Sequence, residues 1–147
     1  MKKLLFTLAI ITALSISTNA QSKKDTLQIK ETVLNYLEGF YTADAGRMEA
    51  ALHPELAKRA MLPGRDGKQR FDNISADILI DYTSKKPDES IKNGKLKVDI
   101  TFYEISGDIA SVKADTEYFS FVDYIHLMKI EGKWKIVNVA WAVKKKG

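Results

Sequence analysis

The chain has no cysteine. That absence excludes a disulfide framework, a lipoprotein anchor carried on an N-terminal cysteine, and a Cys–His nucleophilic pair. Histidine is nearly absent too, with only His53 and His126. Two imidazoles far apart in sequence, with no ligand spacing around them, give no metal site. No Gly-rich phosphate loop or nucleophile elbow occurs, and nothing calls for a cofactor. The apolar run from Leu4 to Leu14 is interrupted by Ser15, Ser17 and Asn19 before it reaches the roughly 20 residues that span a bilayer.

A strong excess of one charge is also missing from the body of the chain. Lys and Arg number 23 against 19 Asp and Glu, a net charge of +4. Removing residues 1–20 takes away Lys2 and Lys3 and no acid, which leaves +2, and setting aside Lys144, Lys145 and Lys146 leaves −1. The basic character belongs to the two ends. No stripe for nucleic acid is expected, and the lysine tail reads as a solvated end.

What is present begins with "MKKLLFTLAIITALSISTNAQS". Two lysines, an apolar stretch and small residues up to Ala20 have the layout of a signal peptide over 1–20, followed by a domain over 21–147. The product is expected to be exported, periplasmic or secreted, with no membrane attachment after cleavage. A length of 147 residues with 45% hydrophobic content predicts one compact core.

Ile29, Val33, Tyr36, Leu37 and Phe40 recur at helical spacing, which predicts a helix from Asp25 to Tyr41 with Asp25 as its cap. Gly39 inside it costs roughly 1 kcal/mol relative to alanine, a sign that another element or a ligand comes close. Asp44 caps a second helix carrying Met48, Ala51 and Leu52. Pro54 suits the first turn of a third, "PELAKRA", with His53 held extended before it. "RAMLPGRDGKQRFDNIS" reads as a short hairpin turning at Pro63 to Gly67. Ser75 caps a fourth helix bearing Ile78, Leu79 and Tyr82, which ends before Pro87, and Pro87 to Lys95 is a loop. After Leu96 the apolar residues alternate, predicting a four-stranded antiparallel meander that turns at Gly107-Asp108 and Glu131-Gly132-Lys133. Helices first and strands afterwards make an α+β domain.

"YLEGFYTADAGRMEAALHPELAKRAM", "ISADILIDY" and "DYIHLMKIEGKWKIVNVAW" together resemble the putative lumazine-binding family, in the SnoaL-like branch of the NTF2-like superfamily. The most specific parts are His53-Pro54 and the terminal hairpin with Gly132, Lys133 and Trp134. The resemblance implies a cone in which N-terminal helices pack on a curved antiparallel sheet around a deep pocket, with frequent dimers. It implies no activity, because the fold hosts isomerases, cyclases, dehydratases and non-catalytic binders. Nor does the family's name make lumazine the ligand.

Strand alternation then sorts the polar residues. With Lys129 and Glu131 placed in water, Asp123, Ile125 and Leu127 are expected on the outer sheet face, and Tyr124, His126 and Met128 on the inner one. Asp123 and His126 then form no dyad. The expected ligand-binding residues are His126, Tyr118, Phe102, Asn138, Tyr124 and Trp134, in a pocket covered by Val33, Leu37 and Phe40 of the first helix. Candidates for proton transfer are His126, Tyr118 and Glu104, whose carboxylate alternation points inward.

Ile125, Leu127, Val137, Val139, Trp141 and Val143 form an apolar outer patch for a homodimer on this facing. The sequence thus describes an exported domain that binds a small, partly apolar or aromatic molecule between helices and sheet. Two alternatives stand beside it: an isomerase- or dehydratase-type enzyme using a pocket His, Tyr or Glu, and a non-catalytic dimerisation or interaction module.

Overall fold

The computed structural model describes residues 2–85, 96–117 and 120–144, with side chains from residue 22 onward. Three helices, α1 (Lys2–Tyr41), α2 (Ala45–Ala51) and α3 (Ala76–Lys85), pack on a curved sheet of six strands. The strands are β1 (Leu52–Pro63), β2 (Gln69–Ile74), β3 (Val98–Ser106), β4 (Ile109–Thr116), β5 (Phe121–Ile130) and β6 (Lys133–Val143), in the spatial order β2-β1-β6-β5-β4-β3. The expected meander is there as β3 to β6, and β1 adds to it in parallel beside β6, so the sheet is mixed.

On α1 the expected stripe faces the core: Ile29 and Val33 are fully inaccessible, Tyr36 and Leu37 nearly so, and Phe40 is half-buried against the core, with Tyr41 buried beside it. Gly39 marks a close approach, since a Cβ there would lie 3.0 Å from the Met48 amide and 3.1 Å from the Asp44 carbonyl oxygen. Asp44 caps α2 by accepting from the Arg47 amide at 3.0 Å. The Leu79 amide donates to the Ser75 carbonyl, which opens α3 where expected. The Pro87–Lys95 loop lies outside the described residues.

Two expectations fail on this side of the fold. Asp25 is no cap, because α1 runs on before it and leaves no free turn of amides. Its buried carboxylate instead accepts from Lys129 Nζ at 2.7 Å and Trp134 Nε1 at 3.0 Å. "PELAKRA" is not a helix but the middle of β1. Leu56, Lys58 and Ala60 are buried on alternate positions, a period of two, and pairing with β2 and β6 outweighs the helical propensity of the segment. Pro54, which has no amide to give, falls in the gap between Leu52 and Ala57 where the pairing with β6 shifts.

The facing of β5 is the reverse of the expectation. Asp123, Ile125 and Leu127 are buried, whereas Tyr124, His126 and Met128 are exposed. The cause is Lys129, which turns inward to Asp25 instead of outward to water. Two bulges change the facing again. Between β5 and β6 the register skips Val137, so Trp134 and Ile136 before it and Val139 and Trp141 after it all face the helices. On β3 the skip at Tyr103 sends Glu104 outward while Phe102 and Ile105 stay against the core. A bulge holds two residues of one strand opposite one of the other and so inverts the alternation beyond it.

The outer apolar patch is dismantled by the same reversal. Ile125, Leu127 and Val139 are core residues, Trp141 packs against the core, Val137 is half-buried, and only Val143 is well exposed.

Candidate functional site

Three side chains that would each be costly to bury alone meet between α1, β1 and β5. Tyr36 comes from the inner stripe of α1, Lys58 from the inward row of β1, and Asp123 from the inward row of β5. Lys58 Nζ donates to Tyr36 Oη at 2.6 Å and to Asp123 Oδ1 at 3.1 Å, and Tyr36 Oη donates to Asp123 Oδ2 at 2.9 Å. Asp123 is 1% exposed and Lys58 8%, so the ion pair is compensated by geometry and not by water.

This cluster borders a pocket of about 240 Å³, lined by Tyr36, Leu37, Phe40 and Tyr41 of α1, Lys58 of β1, Ile74 of β2, Ile78, Leu79 and Tyr82 of α3, and Phe121 and Trp141 of the sheet. Its walls are otherwise apolar and largely aromatic. Phe40 stacks on Tyr82 with centroids 6.0 Å apart, and Phe121 meets Trp141 edge-on at 5.9 Å. Lys58 Nζ sits 5.1 Å from the Trp141 ring centre, 5.3 Å from Tyr36 and 5.9 Å from Phe121, distances at which aromatic faces stabilise a cation.

Burial sets the protonation of the cluster. It raises the Tyr36 phenol well above its ordinary range, with the Asp123 carboxylate and the hydrogen bond to it adding to the effect. Tyr41 is raised for the same first reason, with Asp123 second. Burial lowers the Lys58 ammonium, and Asp123 pulls it back up.

An ammonium has three donors. Two of those on Lys58 are used, and among the described residues no acceptor takes the third. Among the described residues Trp141 Nε1 is likewise buried without a hydrogen-bond partner. The polar groups of this pocket therefore include donors in want of an acceptor.

The described residues among those expected in the pocket lie elsewhere. The pocket does sit between the inner sheet face and α1, with Leu37 and Phe40 among its walls. His126, Asn138, Glu104 and Tyr124 instead belong to the outer face. There Asn138 Nδ2 lies 3.3 Å from His126 Nδ1, and Asn138 Oδ1 accepts from Arg59 Nη1 at 2.8 Å. His126 and Glu104 share a second, shallow hollow of about 410 Å³. Trp134 is buried as the partner of Asp25, Phe102 packs against the core, and Tyr118 lies outside the described residues.

Sequence reasoning missed Tyr36 and Lys58 and placed Asp123 on the wrong face. The signal for Lys58 was the two-residue period of Leu56, Lys58 and Ala60, in which the lysine stands in an apolar row. Among the described residues no three His, Asp or Glu side chains gather as a metal site, and no helix is long and apolar enough to cross a membrane.

Helices on a curved sheet with a pocket between them define an NTF2-like cone. The chain resembles an NTF2-like protein of unknown function from Silicibacter pomeroyi, with a TM-score of 0.64 and 18% identity over 84% of this chain and 98% of that one. It also resembles one from Methylobacillus flagellatus, at 0.57 and 25% over 83% and 94%. A third likeness is to a protein from Novosphingobium aromaticivorans described as a putative scytalone dehydratase, at 0.60 and 10% over 86% and 89%. No curated protein matches the chain. Residues 24–142 match the family described as "Putative lumazine-binding", and the chain belongs to that family.

Proposed function

We propose that the chain is an exported domain whose pocket at Lys58 binds a small, partly apolar or aromatic molecule carrying a hydrogen-bond acceptor. The observation that carries this reading is a cation with an unused donor at the edge of an otherwise apolar, aromatic-walled pocket. A cavity of about 150 Å³ already takes a benzene ring, so 240 Å³ leaves room for a substituted one. Lys58 holds the acceptor, and Phe40, Tyr82, Phe121 and Trp141 enclose the ring. An enzyme in this pocket would move protons with Lys58 and Tyr36, since His126 and Glu104 open onto the other face.

Export rests on the layout of residues 1–20. Cleavage after Ala20 would keep the buried stripe of α1 from Ile29 onward and its anchor at Asp25. Native mass spectrometry of the chain recovered from its own host tests the ligand: an aromatic carbonyl or carboxylate compound is expected to travel with the protein. A bound amine or a polar sugar would refute the reading.

A second copy is proposed to cover the outer sheet face. Tyr103 and Tyr124 stack there at 6.3 Å, and Ile109 and Met128 stand exposed beside them. Arg59 on β1 and Asp99 and Glu104 on β3 lie toward opposite sides of this face. A two-fold axis between them sets basic side against acidic side.

A further inference from the structure

We propose that Lys58 forms an imine with a small aromatic aldehyde or ketone held in this pocket. The proposal rests on the pocket being a ligand site and adds the class of ligand and the reacting atom. Lys58 carries the only amine among the lining residues, and its Nζ has two proton partners in place, Asp123 Oδ1 at 3.1 Å and Tyr36 Oη at 2.6 Å. The third Nζ donor position has no protein acceptor among the described residues, and Lys58 lines the pocket in which a carbonyl compound would sit. An apolar wall also limits the water that would hydrolyse the product. Burial lowers the ammonium from its ordinary range, first through desolvation, which brings the free amine within reach.

The step balances within the cluster. The ammonium passes a proton to Asp123, and the freed lone pair attacks the carbonyl carbon while the C=O π electrons move to oxygen. The Asp123 proton reaches that oxygen through the Tyr36 hydroxyl and gives a carbinolamine. A second N–H proton follows the same route, the hydroxyl leaves as water, and the nitrogen lone pair closes the C=N bond. The sum is one ammonium and one carbonyl giving one iminium and one water. The positive charge stays beside Asp123, so the buried ion pair survives the reaction.

The test is to incubate the full chain with benzaldehyde and sodium cyanoborohydride and map the reduced adduct by mass spectrometry, while following tryptophan fluorescence with benzaldehyde alone. The expected result is modification of Lys58 at least about tenfold above any other lysine, a small part of what a held geometry can give. That preference should vanish in urea, and Lys58→Met should remove the adduct. Quenching without a preferred Lys58 adduct overturns the imine and leaves the pocket as a ligand site. Neither quenching nor adduct overturns both. Should Lys58→Met fail to fold, the mapped native chain and its urea control still decide.

Discussion

Lys58 and Tyr36 stand 22 residues apart, on a strand and a helix, yet Nζ and Oη meet at 2.6 Å with Asp123 bridging them. Each group is tolerated in the interior because the other two are there. Lys58→Met therefore strands a buried carboxylate and should cost about 3–5 kcal/mol in denaturant unfolding. Adding Asp123→Asn should recover part of that loss, a coupling of about 0.5–3 kcal/mol in a double-mutant cycle. Additive losses would mean the pair does not act as a unit.

Alkaline titration reads the same cluster. An exposed tyrosine ionises near pH 10, whereas burial beside Asp123 keeps Tyr36 and Tyr41 protonated well above that. Above pH 10 the folded chain thus binds more protons than the unfolded one, so their contribution to stability is whole below pH 10 and drains as pH rises. Lys58 acts in the opposite sense. Its ammonium is lowered by burial, so its charge is a burden to folding that lifts as pH climbs toward the ordinary lysine range. Tyr36→Phe should flatten the alkaline fall of the melting temperature, and an unchanged fall would place that proton elsewhere.

The strand pattern after Leu96, the α1 stripe, the cap at Asp44 and the start of α3 after Ser75 were legible because local periodicity and capping chemistry decide them. What could not be read was facing. The rule that charged residues point to water fixes a strand only when no charge is buried, and here Lys129 turns in to Asp25 while Asp123 turns in to Lys58. The bulges at Tyr103 and Val137 leave no mark in a run of alternating residues, so Glu104 was carried to the wrong side. Lys58 was hidden by a segment whose composition suits a helix, and only its pairing with β2 and β6 makes it a strand.

Asp25 gives a direct check of that lesson. As a helix cap, Asp25→Ala would cost about 0.5–2 kcal/mol. As the buried partner of Lys129 and Trp134 it should cost about 3–5 kcal/mol and shift Trp134 fluorescence. A small loss with unchanged emission would restore the capping role.

Tyr124→Glu tests the outer face. Light scattering should show a dimer for the unaltered chain and a monomer for the variant, with circular dichroism unchanged because the side chain is exposed. A monomer at tens of micromolar in the unaltered chain, on the order of a weak interface's dissociation constant, would remove the dimer.

Tryptophan fluorescence titration with benzaldehyde, benzoate and benzylamine bears most directly on the pocket, since Trp141 is in its wall. Benzaldehyde and benzoate, which offer acceptors to Lys58, should quench; benzylamine, which brings a second cation, should not. In Lys58→Met, or its combination with Asp123→Asn, binding of the two acceptors should weaken by about tenfold or more, the worth of a hydrogen bond to a charged donor. Equal binding of benzylamine, or full affinity without Lys58, would contradict the assignment of this pocket as an acceptor-selective ligand site.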